Sequence, residues 1–450
     1  MFKSFWNLFT RERPMPVTTI LQSRRKQEAQ KRLDFYNDKH REHLLGLLAQ
    51  RFQEPERFQP VFVNVLKKVI NNLALVYLEP PKREVLNGSE QDKAIFSEMA
   101  ESCGLSLKLK IAARQVKLLK TVMLRPVWRQ GRMELDLLQP HVLDVETGDT
   151  PEELKAVIVT HFPESGRDED TVFKRWTAES VTTLDARGHT IGQEPNPYGV
   201  LPFVPLWDGI PAGDFWLEGG DDLIALQEAI NTKLTDLLFI IEKQGFGVGY
   251  LKGGEGSELN PVYQVGPGSL VSLPENGELG FAAPNAPILD ILKSIDFLIK
   301  QAAITNGLPA SSLSTEAREE SGISRLIENR ELQEKRSDDI ELFRTYEKRL
   351  FEVMRVVWNA HNAGRQLSEK AQLSVDFYDL KPKASQGEQI AAWESLLSMG
   401  IKDEADIVQE MNPDIKTREE AEAYLLQRQT FRAKLKSPAM ANNEPDFLTE

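Results

Sequence analysis

A single cysteine, Cys103, stands among 450 residues. That excludes an intrachain disulfide and any zinc or iron–sulfur site built on cysteines, and it suits a reducing compartment or indifference to redox. Long apolar runs are also missing: nothing approaches the roughly 18 uninterrupted apolar residues of a membrane span, and the longest apolar region, residues 234–241, is cut by Asp236. The opening MFKSFWNLFT is too short and too aromatic for a secretory core and lacks a small-residue cleavage site. It reads as a terminal arm that docks on a partner or neighbour. Cations are in deficit, since 55 Lys and Arg against 68 Asp and Glu leave a net charge of −13, the wrong sign for gripping nucleic acid over a basic face. No Walker A loop is present, which removes nucleotide hydrolysis through that apparatus.

What remains is an ordinary globular composition, 41% hydrophobic and 27% charged, well away from the disordered class. At ~150 residues per domain the length suggests about three structural units. The first quarter reads as helical. Leu33, Tyr36, His40, Leu44, Leu47 and Leu48 recur at helical spacing within 19–53, and further helices are expected over 58–74, 92–102 and 106–118. Between 121 and 207 the pattern changes to short β-rich runs at 156–161, 172–176 and 179–183, whose short connections favour an antiparallel meander. Residues 196–207 (NPYGVLPFVPLW) carry three prolines, so this strip cannot be a central strand and is expected as an extended linker across a core.

Helices return at 221–244, apolar nearly all round, with Asp221 and Asp222 suited to the positive end of the helix dipole. A glycine- and proline-rich excursion over 245–287 holds strand-like pieces at 262–265 and 269–273. A helix follows at 288–304, then a helix-breaking loop at 306–322, then the longest helix, 323–361. Its middle, 328–339, is almost wholly charged, which points to a solvated spine or to pairing with a neighbouring subunit. One strand-like segment (373–378) and helices at 387–399, 402–409 and 418–434, the last with Thr417 as N-cap, precede a tail at 437–450 expected to be disordered. The fold class is thus mainly α with a β-meander, an α+β chain.

Catalytic chemistry is hard to find. Asp168, Glu169 and Asp170 could hold Mg²⁺ for a nuclease or hydrolase, but they sit in a hairpin-like loop without a second carboxylate cluster, and a solvated turn is the favoured reading. His40 and His43 lack an HExxH pattern and read as surface or satisfied histidines. Gly245, Gly247 and Gly249 follow a helix rather than a strand, so they serve a turn or a close approach rather than a dinucleotide. Ser311, Ser312 and Ser314 have no histidine near them in sequence. The reading is of a protein that is not an enzyme, with no metal and no cofactor.

The order of elements from Asn196 onward resembles portal proteins of tailed double-stranded DNA bacteriophages. The resemblance is carried by the 196–207 strip, the 221–244 helix, the glycine-rich excursion, the 288–304 helix, Gly307-Leu308-Pro309, and the very long helix. It is extended by VDFYDLKP at 375–382, Gly400-Ile401 and Asn412-Pro413-Asp414. It covers residues 196–426 and rests on agreement across many elements. The resemblance implies a wing (1–220), stem helices (221–244 and 288–304), a clip (245–287), a tunnel loop (305–322), a long spine helix (323–362) and a crown (363–436). It also implies a ring at one capsid vertex, usually dodecameric, as the conduit for DNA packaging and ejection. Partners would be other copies of the chain, the terminase large subunit, the head-to-tail adaptor, the major capsid protein and a scaffold. Double-stranded DNA would pass non-specifically, no membrane would be involved, and the protein would reside in the virion after assembly in the host cytoplasm. Clip contacts with terminase and adaptor would fall on Lys252, Glu255, Glu258, Tyr263 and Glu275. Lys293 and Lys300, seven apart, would line the channel near Asp290 and Asp296, unless these are ordinary ion pairs. Ser311, Ser312, Ser314 and Thr315, with Glu316 and Arg318, would form a mobile constriction around DNA. A dodecamer at −13 per chain carries on the order of −150, which keeps DNA sliding rather than bound. The rival readings are the metal-dependent nuclease or hydrolase at Asp168–Asp170, another virion connector protein, and a helical scaffold without nucleic acid.

Overall fold

The computed structural model describes residues 23–50, 59–164, 166–246, 248–252, 278–282, 287–313, 330–378, 386–412, 415 and 417–435. The chain divides into two units, Met1–Arg318 with Glu328–Asp379, and Glu319–Ile327 with Leu380–Glu450. The terminal arm, the strand-like pieces at 262–265 and 269–273, and the tail at 437–450 lie outside the described residues.

In the first unit, α1 (Arg24–Tyr36) and α2 (His40–Ala49) replace the one long helix expected over 19–53. The break falls at Asp38, which has φ 65, a left-handed conformation that Asp tolerates. Its carboxylate accepts from Asn64 Nδ2 and Lys67 Nζ, each at 2.7 Å, and Asn64 Nδ2 also reaches the Phe35 carbonyl at 2.8 Å. These distant partners override local helix propensity. They also delay the next helix, α3 (Val65–Leu73), which begins seven residues later than expected. Residues 59–64 run extended instead, and Asn64 caps α3 by accepting from Lys67 N at 2.8 Å.

Strand β1 (Lys82–Leu86) is followed by α4 (Glu90–Ser102), which opens on a reciprocal Ser89–Asp92 capping box, and by α5 (Leu105–Leu119). Strands β2 (Thr121–Arg129) and β3 (Arg132–Leu138) meet through Gln130 and Gly131, φ 51 and 77, the paired positive φ of a tight hairpin turn. On the other side of β2 lies β9 (Val204–Trp207), giving the order β3-β2-β9. The proline-rich strip is therefore not a linker throughout. Its last four residues form a strand, and Pro205 is accommodated because that strand is an edge. A separate five-stranded antiparallel sheet runs in chain order through β4 (Leu143–Thr147), β5 (Leu154–His161), β6 (Val172–Trp176), β7 (Ser180–Leu184) and β8 (Thr190–Pro195). The α+β reading holds, with the expected meander resolved into two sheets.

The chain then forms α6 (Asp221–Phe246), the antiparallel pair β10 (Val248–Lys252) and β11 (Glu278–Ala282), and α7 (Ile288–Ile304). Helix α8 (Arg330–His361) buries Phe343, Tyr346, Leu350, Phe351, Met354, Val357 and Trp358 on one face, the spacing of an amphipathic stripe. That face packs on β2, β9 and β12 (Gln372–Asp376). Strand β12 pairs antiparallel with β1, Val85 opposite Leu373.

The charged stretch at the start of α8 is not fully solvated. Arg336 and Asp339 are buried. Asp339 accepts from Lys117 Nζ of α5 at 2.7 Å, Arg336 Nη2 donates to the Tyr378 carbonyl at 2.6 Å, and Lys335 Nζ donates to the Asn306 carbonyl at 3.0 Å. Partners from three distant segments hold these charges within one chain.

The second unit holds α9 (Gln386–Ser398), α10 (Glu404–Met411) and α11 (Arg418–Leu435). Asp403 and Asp406 form a capping box at α10. Thr417 caps α11 as expected, its Oγ1 accepting from Glu420 N at 3.3 Å while Glu420 Oε2 accepts from Thr417 N at 3.2 Å. Ala405, Val408 and Ala421 form its small core.

Candidate functional site

Helices α6 and α7 pack along one another, and β10 and β11 continue them as an antiparallel pair with Lys252 opposite Glu278. Inward, α7 buries Ile295, Ala302 and Ala303. Outward, at helical spacing, it presents Leu289 (72% exposed), Leu292 (45%), Phe297 (59%) and Ile304 (52%). Lys293, Asp296 and Lys300 interleave with them on the same exposed stripe. Helix α6 adds Leu238 and Ile241, each nearly half exposed. Exposed large apolar side chains of this kind, here on both of two packed helices, mark an interaction face. Lys300 pairs with Asp296 at 2.5 Å and Lys293 with Asp290 at 4.0 Å. Both pairs are within one helix and open to water, where such pairs contribute little to stability.

Alongside the buried Leu223, Ile224, Ile230 and Leu237, α6 buries a polar stripe, which corrects the reading of that helix as apolar nearly all round. Gln227, Asn231, Thr232 and Thr235 are all buried. Three of them stand four residues apart and hold residues 61–64 and the start of α3 through backbone N–H groups. Thr235 Oγ1 accepts from Val61 N at 3.1 Å, Asn231 Oδ1 from Val63 N at 3.1 Å and Gln227 Oε1 from Leu66 N at 2.8 Å. The three N–H groups belong to residues 61, 63 and 66, so the contacts follow the chain from its irregular approach into the first turn of α3. The spacing 227, 231, 235 was the available sequence signal, masked by the Leu and Ile around it.

Past α7 the chain turns at Gly307. Its N–H donates to the Ile304 carbonyl and Leu308 N–H to the Ala303 carbonyl, each at 3.0 Å, a Schellman ending with Gly307 left-handed at φ 75 and Leu308 buried beyond it. Lys335 closes over the turn. A Cβ on residue 307 would stand 2.0 Å from Lys335 Nζ and 2.5 Å from Glu331 Oε1. Gly307→Ala is therefore expected to destabilise the protein by about 1–3 kcal/mol. Thermal unfolding measures it, and combining it with Lys335→Met should recover the steric part. An unchanged midpoint in the single variant would remove the argument.

Ser311 and Ser312 follow in a short 3-10 turn, Ala310–Leu313, packed on α7 and anchored by buried Leu313. Both serines are half-buried, and the Ser312 hydroxyl is enclosed without a hydrogen-bond partner. These two are held side chains rather than free loop tips. Ser314, Thr315, Glu316 and Arg318, with Glu255, Glu258, Tyr263 and Glu275, lie outside the described residues.

Asp168–Asp170 form an exposed single 3-10 turn between β5 and β6. Among the described residues no three His, Cys, Asp or Glu side chains are grouped to hold a metal. His40 is buried, with Nδ1 facing Asn231 Nδ2 at 3.0 Å, and His43 pairs with Asp34 at 3.1 Å, so neither is arranged as a metal ligand among the described residues. Burial pushes the Cys103 thiol up to about 11, which leaves it protonated and inert. No helix among the described residues is long and apolar enough to cross a membrane.

No family model and no curated protein matches the sequence. Among solved structures, the chain is similar to one in the neck of an empty GTA particle computed with C6 symmetry. The identity is 12% and the TM-score 0.45, over 76% of this chain and 87% of that one.

Proposed function

We propose that the chain is a portal-type subunit, which closes into a ring at one capsid vertex and serves as the conduit through which double-stranded DNA is packaged and later released. The observation that carries this reading is the outer face of the α6–α7 pair, where Leu289, Phe297, Ile304, Leu238 and Ile241 stand exposed in the single chain. A heterologous contact that covers one subunit's apolar face with the next subunit closes into a ring. The order of elements from Asn196 to the end of α11 supports the same reading. In it, α6 and α7 are stem helices, β10 and β11 are the base of a clip that meets terminase and later the head-to-tail adaptor, and the turn at Gly307 leads into the tunnel loop. The role is structural rather than catalytic. The ring sits in the virion, with capsid protein contacting its outer surface.

Native mass measurement with negative-stain imaging tests this. The expected particle is a ring of many copies with a central hole, and Phe297→Asp with Leu289→Asp should shift the population to single subunits. A wild-type chain that stays monomeric or dimeric at high concentration overturns the proposal. So does a ring indifferent to both substitutions.

A further inference from the structure

The contact between α6 and the 61–66 segment has a direction, set by backbone groups that cannot change roles. Leu66 N–H can only donate, so the Gln227 atom facing it is Oε1, at 2.8 Å. Gln227 Nε2 then donates to the Val63 carbonyl at 2.7 Å and to Asn231 Oδ1 at 3.0 Å. Val63 N–H also donates to that oxygen, at 3.1 Å. With Oδ1 filled, Asn231 presents Nδ2, a donor, to His40 Nδ1 at 3.0 Å. The imidazole must accept there, so it is neutral and carries its proton on Nε2. His40 is wholly buried, stacked on Phe62 with ring centroids 4.7 Å apart and edge-on to Phe35 at 4.8 Å. Nε2 has no hydrogen-bond partner among the described residues.

We propose that His40 is an acid-sensitive latch: neutral, it terminates the hydrogen-bond chain that fastens residues 61–66 to α6, and protonated, it releases that segment. A second proton, on Nδ1, would face the Asn231 N–H₂ donor to donor. Asn231 cannot rotate to meet it without abandoning Val63 N–H and Gln227. Among the described residues, the surroundings do not offset the new charge. Facing His40 are Asp38 from the α1–α2 turn, already engaged by Asn64 and Lys67, then Lys67 of α3 and His43 of α2. The side chains that reach it from α6 and the extended segment, Asn231 and Phe62, are uncharged. Burial holds the His40 imidazole below its ordinary value, with Asp38 and the Phe35 carbonyl pulling weakly the other way. The sign follows. The unfolded chain binds the proton first, so the latch is at full strength above about pH 6.5 and weakens as pH falls below it.

Hydrogen exchange of the full chain, read on peptides covering residues 59–66, decides the matter. With the intrinsic pH dependence divided out, exchange in the wild type should be about tenfold faster at pH ~5 than at pH ~7.5. His40→Gln, whose amide oxygen can accept from Asn231 without titrating, should remove that dependence. Asn231→Asp, which offers a protonated His40 an acceptor, should invert it, with protection rising on acidification. A wild type insensitive to pH overturns the latch, as does a His40→Gln variant with the wild-type dependence. If His40→Gln leaves the segment unprotected even at neutral pH, Asn231→Asp decides alone. A dependence of the wild-type sign there also overturns the proposal.

Discussion

Lys117→Met is expected to destabilise the protein by about 3–5 kcal/mol, the cost of leaving a buried carboxylate without its cation. Lys117 Nζ lies 2.7 Å from Asp208 beyond β9 and 2.7 Å from Asp339 in α8, and Lys120 donates to the other oxygen of Asp208 at 2.7 Å. Two cations and two carboxylates thus balance in a closed set that joins the end of α5, the end of β9 and the start of α8. Removing Lys117 leaves Lys120 for Asp208 but nothing comparable for Asp339, which is 5% exposed. Burial already raises the Asp339 carboxyl above its usual range, and Lys117 is the main influence holding it down.

The deficit should therefore depend on pH in a definite direction. In the variant the folded state binds a proton at Asp339 more readily than the unfolded state does. Its instability is greatest at neutral pH and shrinks on acidification toward the raised value. The midpoint of urea unfolding at several pH values measures this. Because an apolar replacement of a whole buried pair is often neutral, Lys117→Met with Asp339→Leu should regain most of the loss. A single variant within half a kcal/mol of wild type, or a double variant no better than the single, would show that solvent already screens the cluster.

The same cluster shows where the sequence was legible and where it was not. Helix α7 could be read to the residue, because apolar positions at helical spacing run unbroken from Ile288 and the break at Gly307 is local. The buried half of α8 was legible for the same reason. Its charged start was not: Lys335 meets Glu331 along α8, but Asp339 is paired by Lys117, and Arg336 and Lys335 donate to the distant Tyr378 and Asn306 carbonyls. No spacing along α8 encodes those partners. Asp38 and Asn64 broke and shortened two expected helices through the same kind of distant contact. Strand β1 (KREVL) runs three charged residues into two apolar ones with no alternation to mark a strand, and only its pairing with β12, far along the chain, defines it. Strands β10 and β11 were hidden by the glycines that admit them. At the candidate site, the exposed stripe with Lys293 and Lys300 was legible from helical spacing. The half-burial of Ser311 and Ser312 was not, since it follows from where Leu308 and Leu313 find their pocket.

Arg83→Met is expected to cost a similar amount, about 3–5 kcal/mol, through a different buried charge. Glu347, 1% exposed in the middle of α8, accepts from Arg83 Nε at 2.5 Å and Nη2 at 3.0 Å, and from the Tyr77 hydroxyl at 2.7 Å. Two parallel N–H donors from one guanidinium make this a fork contact that Lys cannot reproduce. Burial and the neighbouring Glu347 carboxylate both raise the Tyr77 phenol well above its ordinary value, so it stays protonated and donates. Without Arg83 that single neutral hydrogen bond is left to hold an ionised carboxylate in the core. Arg83 lies on β1 and Glu347 on α8, so the loss is also topological. Strand β1 would keep only its pairing with β12 and the Val85 side chain packed beneath it. Hydrogen exchange of residues 82–86 and 372–376 should rise together in Arg83→Met, while the exchange of β2 and β3 changes only with global stability. Arg83→Lys should fall between wild type and Arg83→Met. Equal stability of the Lys and Met variants would mean that the paired geometry contributes nothing, and unchanged exchange in β1 would mean that the strand is held by its sheet partner alone.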